Sequence, residues 1–595
     1  MLFFPLSFLA QSADEQLALQ AFNNKEYEKA IVYYEKLYDQ NSFQFYNNYF
    51  KCLLYTKDFK RAEKIAKKQL KNNSTNLSVY IDLADVYLND GSDKKKADEQ
   101  YQKAIKEVGA DQNQLYNLAQ AFTNNKQYDY AIQVYLKGRK IYAGSYPFYY
   151  EIADVYLLKG ETRNMINEYL DALDFRESEM YMVQTRLGNS LGYDDEKGGF
   201  NNPILKAELL KRIQNNPDKT VYSEFLVWIQ LQQKDYEGAF IQSKALDKRK
   251  KENGFRMMDL GKACMAENVY DVAQKCYQYV IDNNKDYYYD NAFVESANVL
   301  YEKITKSVNY TKQDLNDLEG KLQSTIKKFD NGSLTFPVIK KLAHLQAYYL
   351  DKDSAAIDLL NKTISFPGID KLTQAELKLE LGDIMILTGD IWEASLLYSQ
   401  VDKAYHHEPI GQEAKYRVAK VYYYSGDFKL SKAQFDVLKG ATSKLISNDA
   451  MDMSLVISDA IGVDTNDVPL AWFSSAELLI RQNKFKQAIS RMDSIMLMFP
   501  DHTLADDILM KKAQIAMKTG KFQEAADFYQ KVVTDYGSEI FGDDAQFNIG
   551  EIYEKYINDV EKAKTAYQDL MVNYPSSVFT TEARKRFRKL RGDVY

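Results

Sequence analysis

A unit written twice in succession between Leu381 and Leu438 constrains the fold more than any other feature of this chain. The first copy carries Leu381-Gly382, Met385, Gly389-Asp390-Ile391, Ala394, Tyr398 and Val401; the second, 37 residues on, carries Val418-Ala419, Tyr422, Gly426-Asp427-Phe428, Ser431, Phe435 and Leu438. In each copy apolar residues recur at helical spacing, Gly-Asp interrupts them after about three turns, and a second helical pattern opens on the next apolar residue. The unit is a helix-turn-helix hairpin. Small residues on its two helices (Gly382 and Ala394, Ala419 and Ser431) let the backbones approach, and Tyr398 or Phe435 fills the space beyond. Such a hairpin buries its apolar faces only by stacking on neighbours, so a chain built from it grows by adding interfaces.

The same marks recur along the chain. Tyr27, Ala30 and Tyr34, then Phe59, Ala62 and Ala66, then Ala97, Tyr101 and Ala104 mark the second helices of three N-terminal units. Leu118-Ala119 with Tyr128, Ala131 and Tyr135, and Ile152-Ala153 with Gly160, Tyr169 and Ala172, add two more. Register returns at Leu260-Gly261, Cys264, Tyr270, Ala273 and Tyr277, and near the end at Ala513, Gly520, Phe522, Ala525 and Tyr529, then Ile549-Gly550, Tyr553, Ala563 and Tyr567. These units resemble the tetratricopeptide repeat family. The resemblance implies an all-α, right-handed superhelical α-solenoid of stacked helix-turn-helix repeats. At about 34 residues per unit, there is room for roughly 17 of them.

The organisation expected is a truncated signal peptide over 1–12, where residues 2–10 are apolar and Gln-Ser-Ala-Asp-Glu follows, then a first array over 13–173. A less regular helical middle spans 174–336, with a loop near 192–202 whose Asp194, Asp195 and Glu196 read as a solvated turn. A second array spans 337–441, a helical insertion 442–467, a C-terminal array 468–579 and a capping helix 580–595. The last array also resembles the Gram-negative envelope factors of outer-membrane protein assembly and the Tol-Pal system, down to Tyr574-Pro575-Ser576-Ser577.

Composition excludes several functions. A net charge of −7, spread along the chain, speaks against wholesale nucleic-acid binding. The three cysteines, Cys52, Cys264 and Cys276, have no metal-ligand spacing and read as buried thiols. His406-His407-Glu408 is the one dense histidine set, but consecutive helical residues point about 100 degrees apart and cannot converge on one metal. With no phosphate loop and no nucleophile-base pair, no catalytic residue, metal or cofactor is assigned. The 47 tyrosines are too many for a core alone and suit contact surfaces.

The expected role is a non-enzymatic scaffold for proteins in the periplasm or envelope. The rivals are a carbohydrate- or peptidoglycan-binding envelope protein using the same tyrosines, and a cytoplasmic adaptor if 1–12 is not cleaved. In the family this chain resembles, the first helix of each unit supplies the inner surface. Carrying that frame over gives a groove of Tyr116, Tyr150, Met258, Leu379, Tyr416, Lys420, Tyr423 and Tyr424, with Gln120, Asp154, Lys262 and Asp383 at the same repeat position as Lys420. The implied occupant is an extended or helical segment of a protein. The C-terminal run Arg584, Lys585, Arg586, Arg588, Lys589 and Arg591 either caps the array or makes weak contact with an anionic membrane or acidic partner.

Overall fold

The computed structural model describes residues 13–192, 202–283, 287–307, 309–329, 332–440, 443–462 and 466–593. The proposed signal peptide and the Asp194-Asp195-Glu196 turn lie outside them. The chain forms two compact units, Met1–Gln233 and Lys234–Tyr595, divided inside the stretch read as the irregular middle. Both are α-helical, and among the described residues there is no strand and no helix long and apolar enough to cross a membrane.

The first unit opens with five hairpins: α1 (Ala13–Asn23) and α2 (Tyr27–Gln40), α3 (Ser42–Tyr55) and α4 (Phe59–Asn72), α5 (Val79–Asn89) and α6 (Lys94–Glu107), α7 (Gln112–Asn124) and α8 (Tyr128–Ile141), α9 (Tyr149–Lys159) and α10 (Thr162–Phe175). It continues through α11 (Met180–Leu191), α12 (Pro203–Asn215) and α13 (Val221–Gln232). The second unit holds α14 (Tyr236–Lys250), α15 (Phe255–Ala266) and α16 (Tyr270–Asn283), the longer α17 (Tyr289–Thr305) and α18 (Lys312–Phe329), then α19 (Phe336–Tyr349) and α20 (Asp353–Ile364). The doubled sequence folds as α21 (Lys371–Thr388), α22 (Ile391–Ala404), α23 (Pro409–Tyr424) and α24 (Phe428–Leu438). The insertion is a single helix, α25 (Lys444–Ile461), followed by α26 (Val468–Arg481), α27 (Phe485–Met498), α28 (Ala505–Lys518), α29 (Phe522–Tyr536), α30 (Gly542–Ile552), α31 (Val560–Asn573) and α32 (Thr580–Arg591).

Within a hairpin the helices close because one side chain is missing. A Cβ on Gly382 would sit 2.4 Å from Tyr398 Cε1, one on Gly261 2.7 Å from Tyr277, and one on Gly550 2.5 Å from Tyr567, all nearer than packed atoms approach. In the second copy Ser431 Oγ instead donates to the Ala419 carbonyl at 2.9 Å. The turn between the helices has one geometry in most of the hairpins. A residue in the left-handed region is followed by one whose N–H bonds five residues back, as in Asp390 N–H to Met385 O (2.8 Å) after Gly389 (φ 107°). Asp58, Gln127 and Val269 make the same bond after Lys57, Lys126 and Asn268, all of positive φ. The turn therefore persists where sequence offers no glycine. All three cysteines are buried and free, Cys264 and Cys276 on the facing helices α15 and α16.

Gly382→Ala should cost its hairpin about 1–3 kcal/mol through overpacking against Tyr398. Hydrogen exchange should show protection lost on α21, α22 and their neighbours while α1 to α10 keep theirs, since each repeat answers mainly to those beside it.

Candidate partner-binding groove

The first helices of the hairpins in the second unit present polar residues between their apolar stripes, and these residues are tied together in a recurring way. Asp383 on α21 accepts from the Tyr398 hydroxyl on α22 at 2.8 Å and from Arg417 on α23 at 2.7 Å. At the C-terminal end Glu554, in the π-helical turn Tyr553–Ile557, accepts from Tyr567 on α31 at 2.6 Å and from Arg586 on α32 at 3.2 Å. The first unit repeats the arrangement with Asp154 on α9, Tyr169 on α10 (3.1 Å) and Arg186 on α11 (3.3 Å). In each clasp a carboxylate on one hairpin takes the tyrosine of its own second helix and the arginine of the next helix, joining neighbouring repeats by charge-assisted bonds.

Around the Asp383 clasp lies a cavity of about 120 Å³, lined by Tyr348, Asp383, Ile386, Tyr398, Glu413, Tyr416, Arg417, Lys420, Val421, Tyr424 and Arg481. It exists because α26, arriving after the odd helix α25, packs on α23 and α21, where Gln482 Nε2 donates to the Ile386 carbonyl at 3.3 Å. The acids of the lining are engaged: Arg417 binds Asp383 and, at 2.9 Å, Glu413, and Tyr348 donates to the Asp383 backbone carbonyl at 3.1 Å. Burial raises the Asp383 carboxyl, against the pull of Arg417 and Tyr398. Arg481 remains exposed at the mouth, where the nearby Tyr424 raises its pKa. Tyr416 packs against Phe435 at 5.3 Å, and burial raises its hydroxyl pKa.

Behind the cavity sits a buried ionic cluster. Glu477 on α26 lies 2.9 Å from Lys511 on α28 and 3.8 Å from Lys420. Burial alone would raise its carboxyl, but Lys420 and Lys511 hold it down to about 2. Because the folded value lies below the ordinary 4.5, this stabilisation is complete above 4.5 and is lost as pH falls toward 2. Glu477→Gln should flatten the pH dependence of protection of α26 in that window and weaken α26 at pH 7, where Lys420 and Lys511 lose the carboxylate that holds them. Hydrogen exchange at pH 3, 5 and 7 on both proteins reads both effects.

The structure distributes the sequence-predicted groove unevenly. Tyr416, Lys420 and Tyr424 share the cavity, whereas Tyr116 and Tyr150 belong to the first unit. Tyr116 is 50% exposed, and Tyr150 is half-buried under Arg186, 4.7 Å from its ring, with its hydroxyl on Glu179. Three residues are corrected. Met258, Leu379 and Tyr423 are buried, because at those positions the helix turns its apolar stripe toward the next helix; Tyr423 is 0% exposed and packs on Phe428. The even groove drawn through α21 and α23 is also corrected, since α26 of the same chain occupies part of it. Sequence reasoning did not single out Arg417, Glu413, Tyr348 or Arg481. The spacing Asp383, Tyr398, Arg417 recurs closely as Asp154, Tyr169, Arg186 and was available as a signal; Arg481 was not, because it arrives from 98 residues beyond Asp383. His406 bonds Asp402 at 3.2 Å, and no metal-ligating group of three gathers among the described residues.

Two family models match this chain, both described as tetratricopeptide repeat, over residues 467–540 and 544–577. The C-terminal stretch is made of tetratricopeptide repeats. No curated protein sequence matches. Among solved structures, "Structure of Naa15/Naa10 bound to HypK-THB" is 12% identical over 98% of this chain and 97% of that one, with a TM-score of 0.25. "Crystal structure of APC/C hetero-tetramer Cut9-Hcn1" is 11% identical over 97% and 96%, with a TM-score of 0.22. Superpositions this loose say nothing about partners.

Proposed function

We propose that this tetratricopeptide repeat protein is a non-enzymatic scaffold that captures a segment of a protein partner at the cavity between α19, α21, α22, α23 and α26. The observation that carries the reading is a small cavity with four tyrosines in its lining and an exposed arginine at its mouth. At about 120 Å³ it is well below the roughly 300–1,000 Å³ of small-molecule pockets, so it suits one or two side chains of an extended segment. A helical segment fits less well, because α26 already fills part of the groove. Tyrosine rings and an arginine are the side chains on which binding energy concentrates at protein interfaces. The envelope is the compartment we propose, on the apolar run at residues 2–10; N-terminal sequencing of the mature chain tests it.

Tyr416→Ala with Arg481→Ala should weaken partner capture by about 2 kcal/mol or more while circular dichroism stays unchanged. Pull-down from the native extract, quantified by mass spectrometry, measures this. Undiminished capture moves the site away from this cavity, and displacement of the partners by soluble glycans favours a carbohydrate site built on the same tyrosines.

A further inference from the structure

The first unit carries a local charge imbalance opposite to that of the chain. α4 has six Lys or Arg side chains against one carboxylate and α6 five against three, leaving seven net positive charges on two helices of a chain whose net charge is −7. Their apolar stripes, Ala62, Ile65 and Ala66 on α4 and Ala97, Tyr101 and Ala104 on α6, are buried, so the cations hold the opposite faces. The two faces are continuous. Lys96 of α6 lies 5.8 Å from the centre of the Tyr87 ring, whose hydroxyl donates to Glu63 of α4 at 2.8 Å.

All the carboxylates within this face except the exposed Glu99 are already engaged. Asp58 caps α4 and holds Arg61 at 2.6 Å, Glu63 takes Lys67 at 2.6 Å, Asp98 accepts from Tyr130, and Glu107 accepts from Tyr80. Lys60, Lys64, Lys71, Lys95, Lys103 and Lys106 are exposed and form no ion pair among the described residues. Ten of the eleven cations are lysine, and the one arginine is bound by Asp58. Lysine is a hydrated point charge on a flexible stem, without the rigid fork that grips a fixed carboxylate or phosphate. Such a patch suits an anionic surface whose charges can move to meet it. The C-terminal basic run is the weaker candidate for the same role: Arg586 is held by Glu551, Glu554 and Glu582, and Arg591 by Asp593.

We propose that the exposed face of α4 and α6 docks the protein on an anionic lipid bilayer. Clusters of four to eight lysines attract such surfaces, each adding measurably, and the attraction decays within a Debye length. The test is co-sedimentation of the full chain with vesicles of phosphatidylglycerol and phosphatidylcholine, and with phosphatidylcholine alone. Binding is expected only to the anionic vesicles at low ionic strength, and should be lost in 0.5 M salt. Lys60, Lys64, Lys71 and Lys103 changed together to Gln should reduce it about 100-fold or more, with the circular dichroism of the wild type, since exposed lysines leave the core untouched. Arg584, Lys585 and Lys589 changed to Gln should leave it largely intact. The proposal is overturned by absence of binding at low salt, by equal binding to neutral vesicles, or by full binding of the α4–α6 variant. Tighter binding to polyglutamate or duplex DNA than to the vesicles also overturns it, in favour of an acidic protein or a nucleic acid.

Discussion

The close approach of two helices across a missing side chain is the constraint on which the rest of this structure depends. Where Gly382 faces Tyr398, Gly261 faces Tyr277 and Gly550 faces Tyr567, the aromatic ring lies where a Cβ would otherwise be. The ring's position then fixes where its hydroxyl goes. Tyr398 reaches Asp383 and Tyr567 reaches Glu554, and each carboxylate is thereby set to receive an arginine from the following helix. A packing contact inside one hairpin so determines a polar contact between hairpins.

The polar interior of the second unit follows from the same logic at higher cost. Glu477 and Lys420 are largely removed from water and Lys511 partly so, a loss that their mutual attraction offsets. A buried ionic group of this kind adds little net stability over an apolar replacement, but any one member left alone is strongly unfavourable. The cluster therefore penalises every arrangement of α23, α26 and α28 except the one that brings all three together. It fixes the wall of the adjoining cavity, where Tyr416 and Tyr424 stand.

Much of the fold was legible in sequence because period and turn chemistry are local properties. The five N-terminal hairpins, the doubled unit and the helical insertion that became α25 all follow from apolar spacing interrupted by turn residues. Glycine served as the turn mark at Gly389, Gly426 and Gly520, yet Lys57, Lys126 and Asn483 hold the same left-handed conformation. Those turns are imposed by the helices they join rather than by their own residue. The groove was less legible. The repeat frame assigns positions along a helix but not the rotation that decides exposure, so Tyr423 was read as surface while Tyr424 beside it lines the cavity. Arg481 reaches that cavity across an irregular insertion, and no periodic frame extends through it.

That insertion also bears on the order in which the molecule can assemble. Contacts between successive helices of a hairpin bridge short lengths of chain and can form as soon as the two helices exist, the condition under which helical repeats fold quickly. The bond from Gln482 to Ile386 closes a loop of 96 residues. The entropy of closing a loop grows with its length and must be met before the contact returns anything. The cavity wall is therefore the late step: α21 to α24 can be complete, with Tyr416 and Tyr424 still open to solvent, before α26 arrives to cover them. During that interval the aromatic inner surface is at its most accessible, and a chain still being synthesised passes through this state every time it is made.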